Sequence, residues 1–273
     1  GNFSDDSNNL YHANGDSTFT DVAYPAGIGD VGWLFTTFGS KFLDYDNDGW
    51  KDILFANGQT FPQMDLYPTG ITYKERNHLF RNRRDGKFEE VGIRSGPGLA
   101  IAKVSRGLAT ADYDNDGDLE IMVSNMNDSP DLLRRARKNG NHSVLIKTVG
   151  TRSNRSGIGA KITVVAGGLT QYDEVRSGGS YLSSGDRRVH FGLGQATKLD
   201  RLEVRWPSGL TDVAENIAAE IREGGKRAFG GEGSCFLEIG FGKAAYAIGS
   251  FYATPKPVVQ LRRPSMMRHW QKI

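Results

Sequence analysis

Apolar positions along this chain come in short runs of Val, Ile, Leu, Phe and Tyr, broken up by Asn, Asp and Gly. No stretch keeps an apolar stripe at helical spacing, and short runs bounded by turn residues predict strands. Ile53-Leu54-Phe55 is apolar at consecutive positions, which predicts a strand buried on both faces. Farther on, Ile162, Val164 and Ala166 alternate with Lys161, Thr163 and Val165, which predicts a strand over 158–166. Gly167-Gly168 predicts a hairpin turn into a strand over 169–175. Further strands are expected over 144–149, 188–191, 202–206 and 211–217. Trp206, ahead of the Pro207-Ser208-Gly209 turn, reads as a core anchor. The expected class is all-β.

Two stretches of the chain match each other. Leu10-Tyr11, Gly15, Phe19 and Val22 recur as Leu79-Phe80, Gly86 (two places further on), Phe88 and Val91. The run Asp44-Tyr45-Asp46-Asn47-Asp48-Gly49 recurs as Asp112-Tyr113-Asp114-Asn115-Asp116-Gly117, 68 positions on. Each unit predicts four short strands, the third entering an acidic loop and the fourth leaving it. A repeat of this length predicts propeller blades or units of another β-array. Two blades cannot close a propeller, so either further blades precede Gly1 or the two units pack otherwise.

The acidic loops carry the clearest chemistry. A tightly coiled loop turns every second side chain inward, so Asp44, Asp46 and Asp48 can present carboxylates to one point, as can Asp112, Asp114 and Asp116. Gly at the sixth position permits a turn that a Cβ would hinder. The seventh position, Trp50 or Asp118, offers its main-chain carbonyl, and the ninth, Asp52 or Glu120, a further carboxylate. Calcium is a hard cation that takes six to eight oxygens. An EF-hand needs a Glu at the twelfth position and flanking helices; here that position is Phe55 or Val123, and the flanks read as strands. Asp, Asn and Gly also make metal-free turns, but four crowded carboxylates repel one another without a cation.

These units resemble the FG-GAP repeats, also called VCBS repeats. The resemblance implies partial β-propeller architecture with two blades, and calcium ligation at Asp44, Asp46, Asp48 and Asp52 and at Asp112, Asp114, Asp116 and Glu120. The runs Asn154-Arg155-Ser156-Gly157, Ser180-Tyr181-Leu182-Ser183, His190-Phe191-Gly192-Leu193-Gly194 and Val204-Arg205-Trp206-Pro207 resemble the ASPIC/UnbV domain, a small antiparallel β domain. Together they point to the cartilage acidic protein-like family, and imply an exported, calcium-binding protein of adhesive or matrix type. The expected layout is two repeats over 1–125, a linker or short helix over 126–140, the ASPIC/UnbV-like domain over 141–221, and an irregular basic tail over 222–273. That tail reads as disordered, as a sorting segment or as a shifted reading frame.

Composition adds limits. A length of 273 residues admits one large domain or two modest ones. The net charge of +2 says little about partners. The basic tail lacks the order of a nucleic-acid recognition element, so no nucleic acid is expected. One cysteine, Cys235, excludes an internal disulfide. No run approaches a membrane span. The chain begins with Gly1 and enters a repeat at once, so the N-terminus is expected to be a cut end whose leader is not in this sequence. The expectation is a secreted or cell-surface, non-enzymatic binder of an unknown protein or glycan partner. The alternative is a secreted hydrolase of polysaccharide or phosphoester. Ser183, Ser184, Asp186 and His190 lie close in sequence, but a catalytic triad is defined by geometry, and a core histidine is the expected reading. Arg176, Arg187 and Arg188 read as a solvated face that an acidic glycan would also fit.

Overall fold

The computed structural model describes residues 1–136, 139–218, 227–230 and 235–241. In chain order the first half carries β1 (Tyr11–Ala13), β2 (Phe19–Asp21), β3 (Thr37–Leu43), β4 (Asp52–Asn57), β5 (Glu75–Arg76), β6 (His78–Asn82), β7 (Phe88–Glu90), β8 (Ala102–Lys103), β9 (Ser105–Ala111), β10 (Glu120–Asn125) and β11 (Asp131–Leu133). The second half carries β12 (His142–Gly150), β13 (Lys161–Ala166), β14 (Leu169–Glu174), β15 (Val189–Gly194), β16 (Lys198–Arg205), β17 (Thr211–Ala218), β18 (Arg227–Gly230) and β19 (Cys235–Phe241). Among the described residues helix is confined to segments of three to five residues, so the class is all-β as expected.

The sheets do not follow the sequence units. One sheet has the order β3-β4-β6-β7. It therefore joins the strand pair around the first acidic loop to the opening hairpin of the second unit. The pair around the second acidic loop, β9 and β10, takes β11 as its third strand. Asp131–Leu133 thus extends the repeat sheet, where a linker or helix was expected. The hairpin β1–β2 holds the repeat position of β6–β7 and is exposed.

Strand β4 is buried along its whole length. Its alternate residues feed two cores. Leu54 and Ala56 pack with Leu43, Leu79, Leu108 and Val123, between the two loop-bearing sheets. Ile53 and Phe55 pack with Ile28 and Phe80 on the opposite face. That is why three apolar residues run consecutively here. Strand β3 lies beside β9, and Gly39 lets them meet: a Cβ there would stand 2.8 Å from the Arg106 carbonyl oxygen.

The second half is a sandwich. The sheet β14-β13-β16-β17 faces the sheet β15-β12-β19-β18. Val144, Ile146, Phe191, Ile162, Val164 and Leu202 are among its core residues. Trp206 anchors the same core as expected, and donates from Nε1 to Asp212 Oδ2 at 2.9 Å. Gly167 and Gly168 turn β13 into β14 with φ of +56° and +81°, a hairpin geometry open to glycine. The tail expected to be irregular contributes two strands. Cys235–Phe241 pairs antiparallel with Gly150–Val144, and Arg227–Gly230 pairs with it in turn. The rest of the expected tail lies outside the described residues.

Candidate metal centres

The two acidic loops, loop 1 (44–52) and loop 2 (112–120), are built alike. Leu43, the last residue of β3, pairs with Asp52, the first of β4; Ala111 pairs with Glu120 in the same way. Asn47 and Asn115 both have φ of 60°, and Gly49 and Gly117 have φ of 91° and 88°. These left-handed positions suit Asn and Gly. The amide bonds repeat too. Asp44 accepts from the N–H groups of Asp48 (3.0 Å) and Gly49 (2.7 Å), and Asp112 from those of Asp116 (3.0 Å) and Gly117 (3.0 Å). Asp48 and Asp116 each accept from the N–H two residues on. Asp52 and Glu120 accept from the N–H groups of Tyr45 and Tyr113.

Each coil gathers three carboxylates, but not the same three. Oxygens of Asp44, Asp46 and Asp48 lie within 4.8 Å of one another, as do those of Asp112, Asp114 and Glu120. Asp52 falls outside its group because its second oxygen is held by the Asn82 N–H at 2.8 Å. Glu120 is one methylene longer and reaches in. Asp116 lies outside the second group. Trp50 and Asp118 follow the glycines as expected, yet the Asp118 side chain is drawn away, to Arg135 and to Asn47 Nδ2 at 2.9 Å.

The electrostatics favour a cation. Burial raises the pKa of Asp44 to about 7 and that of Asp52 to about 8, with neighbouring carboxylates adding to the effect. Burial likewise raises Asp46, Asp112 and Glu120. Asp46 Oδ1 is buried and has no hydrogen-bond partner among the described residues. An unpaired buried carboxylate oxygen is costly, and an all-oxygen set with such an atom fits a hard divalent ion. Around the first loop, Arg81 lies 3.2 Å from Asp46 Oδ2, and Arg84 lies 2.7 Å from Asp48 Oδ2.

Spacing alone carried no signal for the residues that grip these loops from the second half. Asn139 and Asn141 donate to the Asp46 carbonyl oxygen, at 2.5 and 2.9 Å. The Gly194 N–H donates to the Asn47 carbonyl at 2.9 Å. Arg188 donates to Asn115 Oδ1 at 2.6 Å and to the Asp112 carbonyl at 2.5 Å. The Ser143 hydroxyl donates to the Gly117 carbonyl at 2.5 Å, and His190 Nε2 lies 3.3 Å from the same oxygen. Both loops are thus seated against the sandwich.

The serine, histidine and aspartate of the hydrolase alternative are not brought together. His190 is buried against loop 2, and burial lowers its pKa to about 3. The Ser183 hydroxyl donates to the Tyr181 carbonyl, and the Ser184 hydroxyl to that of Ser177. Asp186 pairs with Arg188.

Comparison with known proteins agrees with this layout. The FG-GAP-like repeat family matches residues 44–123. The ASPIC and UnbV family matches residues 150–222. Cartilage acidic protein 1 of Homo sapiens is 25% identical over 259 residues, which cover 78% of this chain and 39% of that protein. The proteins of that name in Mus musculus and Xenopus tropicalis are each 24% identical, over 78% of this chain and 40% of their own lengths. The chain thus spans about two fifths of these relatives. No helix among the described residues is long and apolar enough to cross a membrane.

Proposed function

We propose that this chain, which belongs with the proteins that join FG-GAP-like repeats to an ASPIC and UnbV segment, is a calcium-stabilised extracellular binding protein rather than an enzyme. Its two loop-bearing sheets serve as blades of a propeller, and its sandwich is a domain seated on the two metal loops. Asp44, Asp46 and Asp48 hold one ion; Asp112, Asp114 and Glu120 hold the other. Asp52, Asp116 and the main-chain carbonyls of Trp50 and Asp118 complete the sets.

The observation that carries this reading is the duplication. Two loops share one backbone and one pattern of amide bonds, and each draws three carboxylates together. At Asp46 this leaves a buried oxygen with no partner among the described residues. Bound calcium supplies positive charge and rigidity. The sandwich grips the carbonyls of Asp46, Asp112 and Gly117, so an ordered loop holds it at one angle and fixes the surface shown to a protein or glycan. A catalytic metal keeps an open position beside a base. Here the nearest imidazole, His190, is bonded to a main-chain carbonyl.

Thermal melting of the full chain with calcium and with a chelator tests the reading. An ion that binds only the folded state at a hundred times its dissociation constant adds about 2.7 kcal/mol per site, or several degrees. Asp46→Ala combined with Asp114→Ala should remove that gain. A melt indifferent to calcium in the unmutated protein would end the metal reading.

A further inference from the structure

We infer that the cleft between β3 and the sandwich binds an acidic polysaccharide, with Lys41 as the residue that receives its oxyanion. The inference rests on the reading of this chain as a binding protein, and adds the class of ligand and its place. Lys41, Phe42, Lys51, Asp173 and Arg176 line two hollows that share these five residues. The larger has a cavity volume of about 490 Å³. Ile53 and Phe55 give it an apolar floor, and Tyr172 stands on its rim with 71% of its surface exposed.

The three cations differ in what they face. Lys51 lies 3.1 Å from Asp173 Oδ2, and Arg176 lies 2.5 Å from Asp173 Oδ1, so one carboxylate serves both. Lys41 is half-buried, and no hydrogen bond or ion pair joins it to a described residue. Its Nζ lies 3.3 Å from where a Cβ on Gly179 would stand and 3.7 Å from one on Gly185, so two glycines leave open the space around it. Burial lowers its pKa from the ordinary lysine value; Asp173 opposes this, while Arg176 and Lys51 reinforce it. A partly desolvated ammonium whose carboxylate neighbour, Asp173, is already paired with Lys51 and Arg176 gains most from a ligand that brings its own charge.

The neighbours favour a sugar chain over a peptide. An acidic peptide would add to a free strand edge, but the Ser40 N–H of β3 is bound to Ser180 Oγ at 3.1 Å, and β3 lies beside β9. Exposed Phe42 and Tyr172 instead offer flat faces on which sugar rings can lie. Carboxylate and sulfate share the oxyanion chemistry, and the test separates them.

Calcium-loaded full chain should be titrated calorimetrically with four probes: an oligosaccharide of alternating glucuronate and N-acetylglucosamine, dextran sulfate, plain dextran and polyglutamate. One of the two anionic sugars should bind, and plain dextran should not. Lys41→Ala should weaken binding about tenfold, and Lys41→Met, which keeps the apolar stem, should do the same. Tyr172→Ala should weaken it about threefold. Arg201→Ala, on β16 two strands away from β14 in the same sheet and paired with Glu203 and Glu215, should leave it unchanged. Failure of both anionic sugars to bind overturns the inference, as does binding that survives both Lys41 substitutions. Polyglutamate binding with the same Lys41 dependence also overturns it, in favour of an acidic peptide. The Lys41 variants should keep the calcium-induced rise in melting temperature. A protein that shows that rise but binds no sugar loses this inference alone; one without the rise loses the metal reading instead.

Discussion

The two acidic loops share a backbone and differ in almost everything around it. Asn47 and Asn115 have the same φ, and equivalent amides meet equivalent carboxylates. Loop 1, however, buries Asp46 and faces two exposed arginines, Arg81 and Arg84. Loop 2 leaves Asp114 exposed, substitutes Glu120 for the aspartate, is held by Arg188 at a carbonyl and an amide oxygen, and meets Arg135 at the Asp118 carboxylate. The repeat therefore sets the coil, while residues far away in sequence set its charge balance. Equal motifs need not make equal sites.

The largest test of that difference lies at Gly192. A Cβ there would stand 2.6 Å from the Asn47 carbonyl carbon and would also run into Asp44 Oδ2. Gly192→Ala should lower the unfolding free energy by about 3 kcal/mol, as read by urea melts. A loss well under 1 kcal/mol would show that loop 1 yields easily and is not rigidly seated. Arg188→Ala probes the seat of loop 2. It removes charge-assisted bonds to Asn115 and Asp112, and should cost about 2 kcal/mol. Asn141→Ala removes one neutral bond at loop 1 and should cost about 1 kcal/mol. The reverse ranking would place the junction's strength on loop 1.

Such long-range seating is what sequence reading missed. The acidic coils were legible because a cation demands fixed spacing, and the hairpin at Gly167-Gly168 because positive φ demands glycine. The strands of the sandwich were legible from alternation, as at Ile162, Val164 and Ala166. The boundary between units was not. Asp131–Leu133 has too few residues to show a period, and only its pairing with β10 identifies it as a repeat strand. Cys235–Phe241 was masked by the surrounding glycines and by a basic composition. By sequence alone Arg188 reads as a solvated arginine. No local pattern says that it reaches Asn115, 73 positions away.

A pH series sharpens the comparison further. Without calcium, native Asp44 and Asp52 keep their protons to about pH 7 and about pH 8, because burial penalises the charged forms. An unfolded aspartate releases its proton near 3.8. Between these limits the native state binds more protons, so stability falls as pH rises from about 4 to about 8. Asp52→Asn should flatten that fall, an effect on the order of 1–2 kcal/mol at pH 8. Glu120→Gln should flatten it less, since Glu120 sits at the less buried site. Saturating calcium should suppress the fall in the unmutated protein. Equal flattening by both substitutions would erase the proposed asymmetry.

The smallest effect isolates the arginines. Arg84 is a half-exposed side chain on Asp48 Oδ2, and such pairs contribute about 0–1 kcal/mol. Arg84→Ala should therefore hardly move the melt of the chelated protein. A guanidinium on a ligand oxygen competes with the ion, however, so its loss should tighten calcium at loop 1 by about two- to fivefold. Calorimetry in an Asp114→Ala background, where loop 1 alone binds, would read this directly. Arg188→Ala should bring a smaller tightening in an Asp46→Ala background, because Arg188 donates to a carbonyl and an amide oxygen of loop 2 and acts on the Asp112 carboxylate through space. Weaker calcium binding after Arg84→Ala would reverse the assignment. Arg84 would then be holding Asp48 in position for the ion, and the asymmetry between the loops would be one of support rather than competition.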